Sequence, residues 1–146
     1  MALKEQVSNV YGVGLRNVGS YQVSGTPWIT GSAIADNKVQ LHIFPYVSKS
    51  FTLINTGSNA IAVHFASGSV AITEGTAVAF TASHGYYANN HYITVAGAGS
   101  VTFDVKCKEV YISADSNGAG GYQIFAELTN IPAGRMYELT GEGITS

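Results

Sequence analysis

The chain has 146 residues, a formal net charge of −2 and 11% charged residues, against about 25% in ordinary soluble domains. This length suits a single domain, and the lack of a lysine- or arginine-rich run argues against a nucleic-acid-binding surface. No apolar run reaches the roughly 20 residues of a membrane helix, and the first residues lack the apolar core of a signal peptide. A polar but weakly charged surface is poorly protected against association, so we expect a subunit that contacts copies of itself or a partner.

Residues 1–36 differ in pattern from the rest of the chain. Their apolar residues are separated by Gly, Ser and Pro, and the glycines prevent a long helix. We predict an extended N-terminal arm with at most one edge strand, around Tyr21 to Ser24. Trp28 is interpreted as a packing anchor for this arm, and the alternative is a contact with a neighbouring subunit. Tyr21 and Trp28 are therefore candidate interface residues.

The stretch from Val39 to Phe65 carries the strongest strand signals, and we take it as the centre of the fold. Strict alternation predicts a first strand whose buried face is formed by Val39, Leu41 and Ile43, with Gln40, His42 and Phe44 on the other face. Pro45 ends this strand because proline has no N–H for the ladder. Two further strands, opening at Phe51 and Ile61, complete what we expect to be a meander of neighbouring strands.

Residues 83–92 are aromatic and polar without a clean period, and they predict an exposed loop. This loop contributes the remaining candidate interface residues, which are Tyr86, Tyr87 and His91. Tyrosine buries a large area at low entropic cost, so a protein–protein contact is the first interpretation. Aromatic faces beside the amides of Asn89 and Asn90 also suit carbohydrate stacking, which leaves a glycan-binding loop as the alternative.

The C-terminal half alternates most regularly along the chain. Residues 101–108 predict one strand, whose apolar face includes Cys107, and residues 122–128 predict the last core strand. A proline at position 132 ends that strand, and residues 136–139 are expected to pair as a final edge strand.

Taken together, these segments predict about eight core strands at spacings of roughly 10 residues, with no helical segment of useful length. That pattern is typical of a β-sandwich or jelly roll. The predicted fold is all-β: a single-domain antiparallel β-sandwich, jelly-roll-like, over residues 37–146, preceded by the extended arm of residues 1–36.

Titratable groups are sparse, which disfavours an enzyme. His42 and His64 lie on the polar faces of two strands that can be neighbours, but the spacing predicts no third metal ligand. Cys107 is the single cysteine, and on an apolar face it is expected to be buried and poorly reactive. Residues 115–118 match part of a calcium loop but lack its distal glutamate, so they indicate a turn. We expect no catalytic residue, no cofactor and no metal.

Three stretches of the chain have a distinctive wording: GVGLRNVGSYQVSGTPWITGS (12–32), FPYVSKSFTLINTGS…VHF (44–65) and VKCKEVYISA…GYQIFAELTNIPAGRMYELTGEGI (105–144). They resemble small virion structural proteins of tailed bacteriophages, especially phages of cyanobacteria. The resemblance implies a head decoration, or cement, protein: a β-sandwich or jelly-roll subunit, often trimeric, that coats the assembled shell. It implies the major capsid protein as partner, the outer surface of the virion head as location after synthesis in the host cytoplasm, and no active site.

An extended arm can reach a neighbouring subunit or the shell beneath. From this we expect that deletion of residues 1–30 abolishes shell binding and leaves the sandwich folded. The rival hypothesis is a receptor- or glycan-binding module of a virion knob or fibre that uses the tyrosine-rich loop 83–92.

Overall fold

The computed structural model describes residues 27–65, 72–74, 78–79, 92–114 and 118–136. No helix within these ranges is long and apolar enough to cross a membrane. A short 3-10 turn, Ala133–Arg135, follows the last strand. The strands of the described ranges are β1 Pro27–Ile34, β2 Lys38–Ile43, β3 Tyr46–Asn55, β4 Ile61–His64, β5 Val78–Ala79, β6 Ile93–Val95, β7 Ser100–Phe103, β8 Glu109–Ala114 and β9 Gly120–Pro132.

The strands form two antiparallel sheets that pack as a sandwich. Sheet A has the order β1-β9-β3-β7, and sheet B has the order β5-β2-β8-β4-β6. Apart from the two-residue β5, the strands pair from the outside of the chain inwards: β1 with β9, β2 with β8, β3 with β7 and β4 with β6. A long hairpin wound in this way is a jelly roll, and the predicted all-β, jelly-roll-like sandwich is confirmed.

The predicted meander of neighbouring strands is wrong. β2 and β4 belong to sheet B and β3 belongs to sheet A, so the chain crosses between the sheets twice in this stretch. The first crossing is at Pro45, where the strand ends as predicted. Each sheet has an apolar face that must be covered by the other sheet, and consecutive strands satisfy this by alternating between them. Alternation along one strand does not reveal which sheet the strand joins.

The buried face of β2 is only partly the one predicted. His42 lies opposite Val110, and Phe44 and Val110 both belong to the main core cluster between the sheets. Val39 and Leu41 point to the other side of sheet B, where they are buried as well, whereas Ile43 is 41% exposed. Within the strand the fully buried residues are therefore the predicted Val39 and Leu41, but the side that faces the other sheet carries the half-buried Gln40 and His42.

Part of the predicted arm belongs to the sandwich. Pro27–Ile34 form an edge strand of eight residues, and all eight pair in unbroken register with β9. The indole of Trp28 packs edge-on against Phe44, with the ring centroids 4.9 Å apart, so it anchors this strand to the core. The proposed edge strand around Tyr21 lies outside the described residues.

The inner face of sheet A supplies the other half of the core. Phe51 and Leu53 of β3 lie opposite Ala126 and Ile124 of β9, and all four are at most 1% exposed. The rings of Phe51 and Phe103 stack with centroids 5.0 Å apart. Full burial of such a side chain contributes about 1.5–3 kcal/mol, so this layer is a main source of stability.

The strand predicted over residues 101–108 is shorter than expected. β7 ends at Phe103, although side-chain exposure continues to alternate as far as the fully buried Cys107. Ser48, at an irregular point of β3, replaces the regular ladder: its hydroxyl donates to the carbonyl of Val105 and accepts from the N–H of Cys107. A side chain thus satisfies backbone groups that sheet pairing leaves open.

The last core strand is longer than predicted. β9 runs from Gly120 to Pro132 and contains the whole predicted segment 122–128. It ends at the proline, as expected. The 3-10 turn follows directly, and of the expected final edge strand at 136–139 only Met136 is described, where it lies outside the strands.

Candidate functional site

The outer face of sheet A is an exposed apolar surface, which we call the apolar face. It is centred on Ile29 of β1, Phe125 of β9 and Ile54 of β3, which are 69%, 39% and 37% exposed. Ile29 lies directly opposite Phe125, and Ile54 lies opposite Gln123, two residues from Phe125. Diagonal neighbours of this kind are about 7–8 Å apart, so the three side chains form one patch.

Among the described residues of sheet A, few charged side chains lie next to this patch. Thr52 continues the row of Ile29 and Phe125, and its hydroxyl lies 2.9 Å from that of Thr102 on β7. A carboxylate enters at the next row, where Glu127 accepts a hydrogen bond from the hydroxyl of Ser50 at 3.0 Å. Such a surface costs little to desolvate, which suits a contact with another protein.

The centre of the outer face of sheet B is buried instead. Leu41, Tyr111 and His64 lie side by side on β2, β8 and β4, and they are between 1% and 6% exposed. The His64 ring stacks on Tyr111, and its Nε2 lies 2.6 Å from the hydroxyl of Ser113. The two sheets therefore differ, and sheet A presents the open face.

A polar network lies between the sheets, on the inner faces of β2 and β9. The hydroxyl of Tyr122 donates to Oε1 of Gln40, and it lies 2.6 Å from Nε2 of His42. The amide nitrogen of Gln40 donates to the carbonyl of Ala33 at 3.3 Å, which fixes the orientation of the amide. Because the single Tyr122 proton goes to Gln40, His42 donates from Nε2.

Burial sets the electrostatics of this network. Desolvation lowers the pKa of His42, and the nearby Glu74 carboxylate partly opposes the shift. Burial also raises the pKa of Tyr122, against a smaller opposing effect of its hydrogen bond with Ser32. Both groups are held neutral near pH 7, which suits a structural link between the sheets.

The two strand histidines do not come together. His42 lies opposite Val110 and His64 opposite Tyr111, and these consecutive residues of β8 point to opposite faces of sheet B. They cannot share one ligand. The described residues contain no group of three or more His, Cys, Asp and Glu side chains arranged to hold a metal ion.

Cys107 is buried in the core, as the sequence predicts. It is 0% exposed, and burial raises the pKa of its thiol to about 12. Its sulfur lies 3.3 Å from the Ser48 hydroxyl, a contact that opposes the shift only partly. A thiol in this state is a small core side chain and a poor nucleophile.

Of the predicted interface residues, the described part of the chain contains Trp28. Its ring lies on the inner side of sheet A against Phe44 and His42, so the packing interpretation accounts for its contacts. Tyr21, Tyr86, Tyr87 and His91 lie outside the described residues, and their interface role stays a prediction.

The residues of the apolar face were not singled out from the sequence. One signal was present: Phe125 stands between Gln123 and Glu127 on the polar face of an alternating strand. Ile29 gave no signal, because the inward positions of β1 include Thr30 and Ser32 and the alternation is lost.

The chain was compared with protein families, with curated proteins and with solved structures. No family model and no curated protein matches the chain. A crystal structure of PirA shares 13% identity at a TM-score of 0.42, covering 69% of this chain and 94% of its own. A structure of Bacillus endospore appendages, described as a novel family of disulfide-linked pili, shares 16% identity at a TM-score of 0.32, covering 74% of this chain and 94% of its own.

Proposed function

We propose that this chain is a non-enzymatic virion structural protein, a capsid decoration (cement) protein of a tailed phage. It binds the outer surface of the assembled head and stabilises contacts between major capsid subunits. Two lines support the proposal: the resemblance of three sequence stretches to small virion proteins, and the apolar face of sheet A. The observation that carries it on the structural side is the exposure of Ile29, Phe125 and Ile54 on a weakly charged sheet.

The apolar face supplies the binding energy in this proposal. Complete burial of an Ile or Phe side chain contributes about 1.5–3 kcal/mol, and these three side chains start between 37% and 69% exposed. A contact of this size is modest for one copy. Many copies on one shell add up to a substantial restraint on the capsid joints.

The remaining features of the proposal follow the resemblance. The chain acts as a homo-oligomer, with a trimer expected, on the outside of the head, and it contacts neither nucleic acid nor membrane. The arm that reaches the shell is best taken as residues 1–26, because Trp28 and the rest of β1 belong to the sandwich. Deletion of residues 1–30 would cut this strand, so a deletion that tests the arm should end before Pro27.

The first test is the copy number in purified virions, measured by quantitative mass spectrometry against the major capsid protein. Hundreds of copies per particle support a lattice-wide decoration protein. A dozen or fewer contradict it and place the chain at a vertex, collar or tail.

The second test measures binding of the full chain to heads that lack it. Phe125→Lys and Ile54→Lys should each weaken binding, because a lysine must be desolvated at the contact. Ile93→Lys is the matched control: Ile93 is 47% exposed but lies in sheet B, and its replacement should leave binding unchanged. Equal effects of all three changes would contradict the assignment of the apolar face. A glycan array tests the rival function, for which hits must be lost in Tyr86→Ala and Tyr87→Ala.

A further inference from the structure

Among the described residues, the outer edge of β1 has none of the usual protections of an edge strand. β1 has eight residues, none of them charged, and its pairing with β9 has no bulge. The other edge strands of the two sheets are short: β7 has four residues, β6 three and β5 two. Proteins usually shield an exposed edge with charges, bulges or short length, because unpaired N–H and C=O groups invite another strand. Among the described strands β1 is hydrogen-bonded to β9 alone.

Two hydrogen bonds reveal which backbone groups of β1 face this edge. The N–H of Thr56 donates to the carbonyl of Gly121, so the backbone N–H and C=O of Gly121 point towards β3 and away from β1. Ala33, which lies opposite Gly121, therefore forms no ladder hydrogen bond with it, and the backbone N–H and C=O of Ala33 point to the open edge. Consistently, the carbonyl of Ala33 accepts from the Gln40 side chain. Because these directions alternate along a strand, the backbone groups of Pro27, Ile29 and Gly31 also point to the open edge.

We propose that β1 pairs with β1 of a second copy of this chain, antiparallel, across a two-fold axis at Thr30. In this register Thr30 faces Thr30, Ile29 faces Gly31 and Pro27 faces Ala33 of the second copy. Each Ile29–Gly31 pair exchanges two hydrogen bonds, as the close pairs of an antiparallel ladder do.

The ends of β1 are what select this register. Pro27 has no N–H, and the carbonyl of Ala33 already has a donor in Gln40. When these two residues face each other, the N–H of Ala33 donates to the carbonyl of Pro27 and no outward group of either strand lacks a partner. The edge is therefore complementary to itself. For this reason the strand that pairs with it is assigned to a second copy of this chain and not to another protein.

The neighbouring registers are worse. A shift of the axis to Ile29 places Pro27 opposite Gly31, and the carbonyl of Gly31 then faces a residue without an N–H. A shift to Gly31 directs the N–H of Ile29 at the carbonyl of Ala33, which Gln40 occupies. Each shift thus spoils a hydrogen bond at both symmetry-related places.

The side chains also fit the pairing at Thr30. Ile29 is 69% exposed on the outer face and would lie over Gly31 of the second copy, which has no side chain to obstruct it. On the inner face two threonines meet across the axis. Thr52 and Thr102 already form such a directly opposed pair within sheet A, with hydroxyl oxygens 2.9 Å apart.

This contact goes beyond shell binding and does not depend on it. It extends the apolar face of sheet A into one continuous sheet over two copies. Because it is two-fold, it joins chains in pairs, either as a dimer or as a link between two rings. A decoration protein and a protein with any other role would show it equally.

Cysteine trapping tests the register directly. Thr30 and Thr30 of the second copy would form a non-hydrogen-bonded antiparallel pair. In such a pair the Cα atoms are about 4.5 Å apart, within the roughly 4.4–6.8 Å that a disulfide spans. Mild oxidation of the full-length Thr30→Cys variant with copper phenanthroline should therefore give a covalent dimer on a non-reducing gel. Ser32→Cys is the control, because its own copies would be displaced by about 13 Å along the strands. The wild-type chain is the second control, since Cys107 is 0% exposed.

Sedimentation of the free protein tests the contact without oxidation. Ile29→Pro removes an N–H that faces the open edge and no hydrogen bond to β9. The sedimenting mass should therefore fall to that of half the assembly. The midpoint of unfolding should stay near that of the wild type. An even copy number that Ile29→Pro halves, with a dimer from Thr30→Cys, supports the proposal. A Thr30→Cys variant that stays monomeric on the gel, or a dimer formed equally by Ser32→Cys, overturns it. Neither result decides whether the chain binds the shell, because that is tested separately with Phe125→Lys and Ile54→Lys.

Discussion

The hydroxyl of Tyr122 lies 2.6 Å from Nε2 of His42, and the two residues belong to different sheets. The same hydroxyl donates to Gln40, so one tyrosine of sheet A binds two side chains of β2. The rings of Tyr122 and His42 are nearly perpendicular, and their centroids are 5.5 Å apart. This polar link sits beside the edge strand that we propose as a contact between copies, because Gln40 also binds Ala33 of β1.

Loss of the Tyr122 hydroxyl should destabilise the fold. Tyr122→Phe leaves His42 without an acceptor and Gln40 without a donor in a part-buried place, so we expect a loss of about 1–3 kcal/mol in the free energy of unfolding. Urea denaturation measures it. Tyr46→Phe is the matched control, since Tyr46 is 44% exposed and its change should cost little. Equal costs for both variants would contradict a structural role of the network.

His42 should make stability depend on pH. Its pKa in the folded protein is lowered from 6.5 by burial, so the unfolded chain binds the proton more readily. The contribution is therefore fully present above pH 6.5 and is lost as the pH falls below it towards the folded pKa. Between pH 7.5 and 5 the wild type should lose more stability than His42→Gln, measured by urea denaturation at each pH. Parallel curves for the two proteins would exclude this role.

The thiol of Cys107 should be inert while the protein is folded. A buried thiol with a pKa of about 12 forms almost no thiolate at pH 8. Dithionitrobenzoate should release colour only after urea unfolds the chain, and then with one equivalent per chain. Rapid reaction of the native protein would show that the core opens readily, and it would also remove the wild-type control of the cysteine-trapping experiment.

The turn between β6 and β7 should not tolerate a side chain at Gly97. A Cβ there would lie 2.1 Å from the backbone oxygen of Ser58, which cannot move without the loop that carries it. Gly97→Ala should therefore cost at least about 1–3 kcal/mol of stability, measured by thermal or urea unfolding. Gly134→Ala is the control, because nothing lies within 4 Å of its added Cβ. Little difference between the two variants would mean that the turn rearranges freely.

Strand content was the part of the fold that local patterning could predict. Residues 122–128 alternate cleanly, and they lie in β9 with Tyr122, Ile124, Ala126 and Leu128 inward. Cys107 was placed correctly for the same reason. Ile43 was misplaced, because alternation does not show where along a strand burial ends: Val39 and Leu41 on the same face are buried, whereas Ile43 is 41% exposed.

Most of the candidate site could not be predicted from local sequence patterns. Phe125 was visible as an aromatic residue on a polar face, but Ile29 joined it only through the pairing of β1 with β9, which are about 95 residues apart in the chain. The pairing of residues so distant in sequence depends on the whole topology. The exposed face of sheet A is therefore a tertiary feature.

Local sequence patterns were enough to predict an all-β chain with short strands, few charges and a buried cysteine, because side-chain period, turn residues and composition act over a few residues. Which strands share a sheet, and which face of each sheet stays open, depends on the assembled sandwich. Assembly of the sandwich also brought Tyr122 to His42 and left the uncharged β1 at an edge. These outcomes depend on how two apolar sheet faces cover each other, which no local pattern encodes.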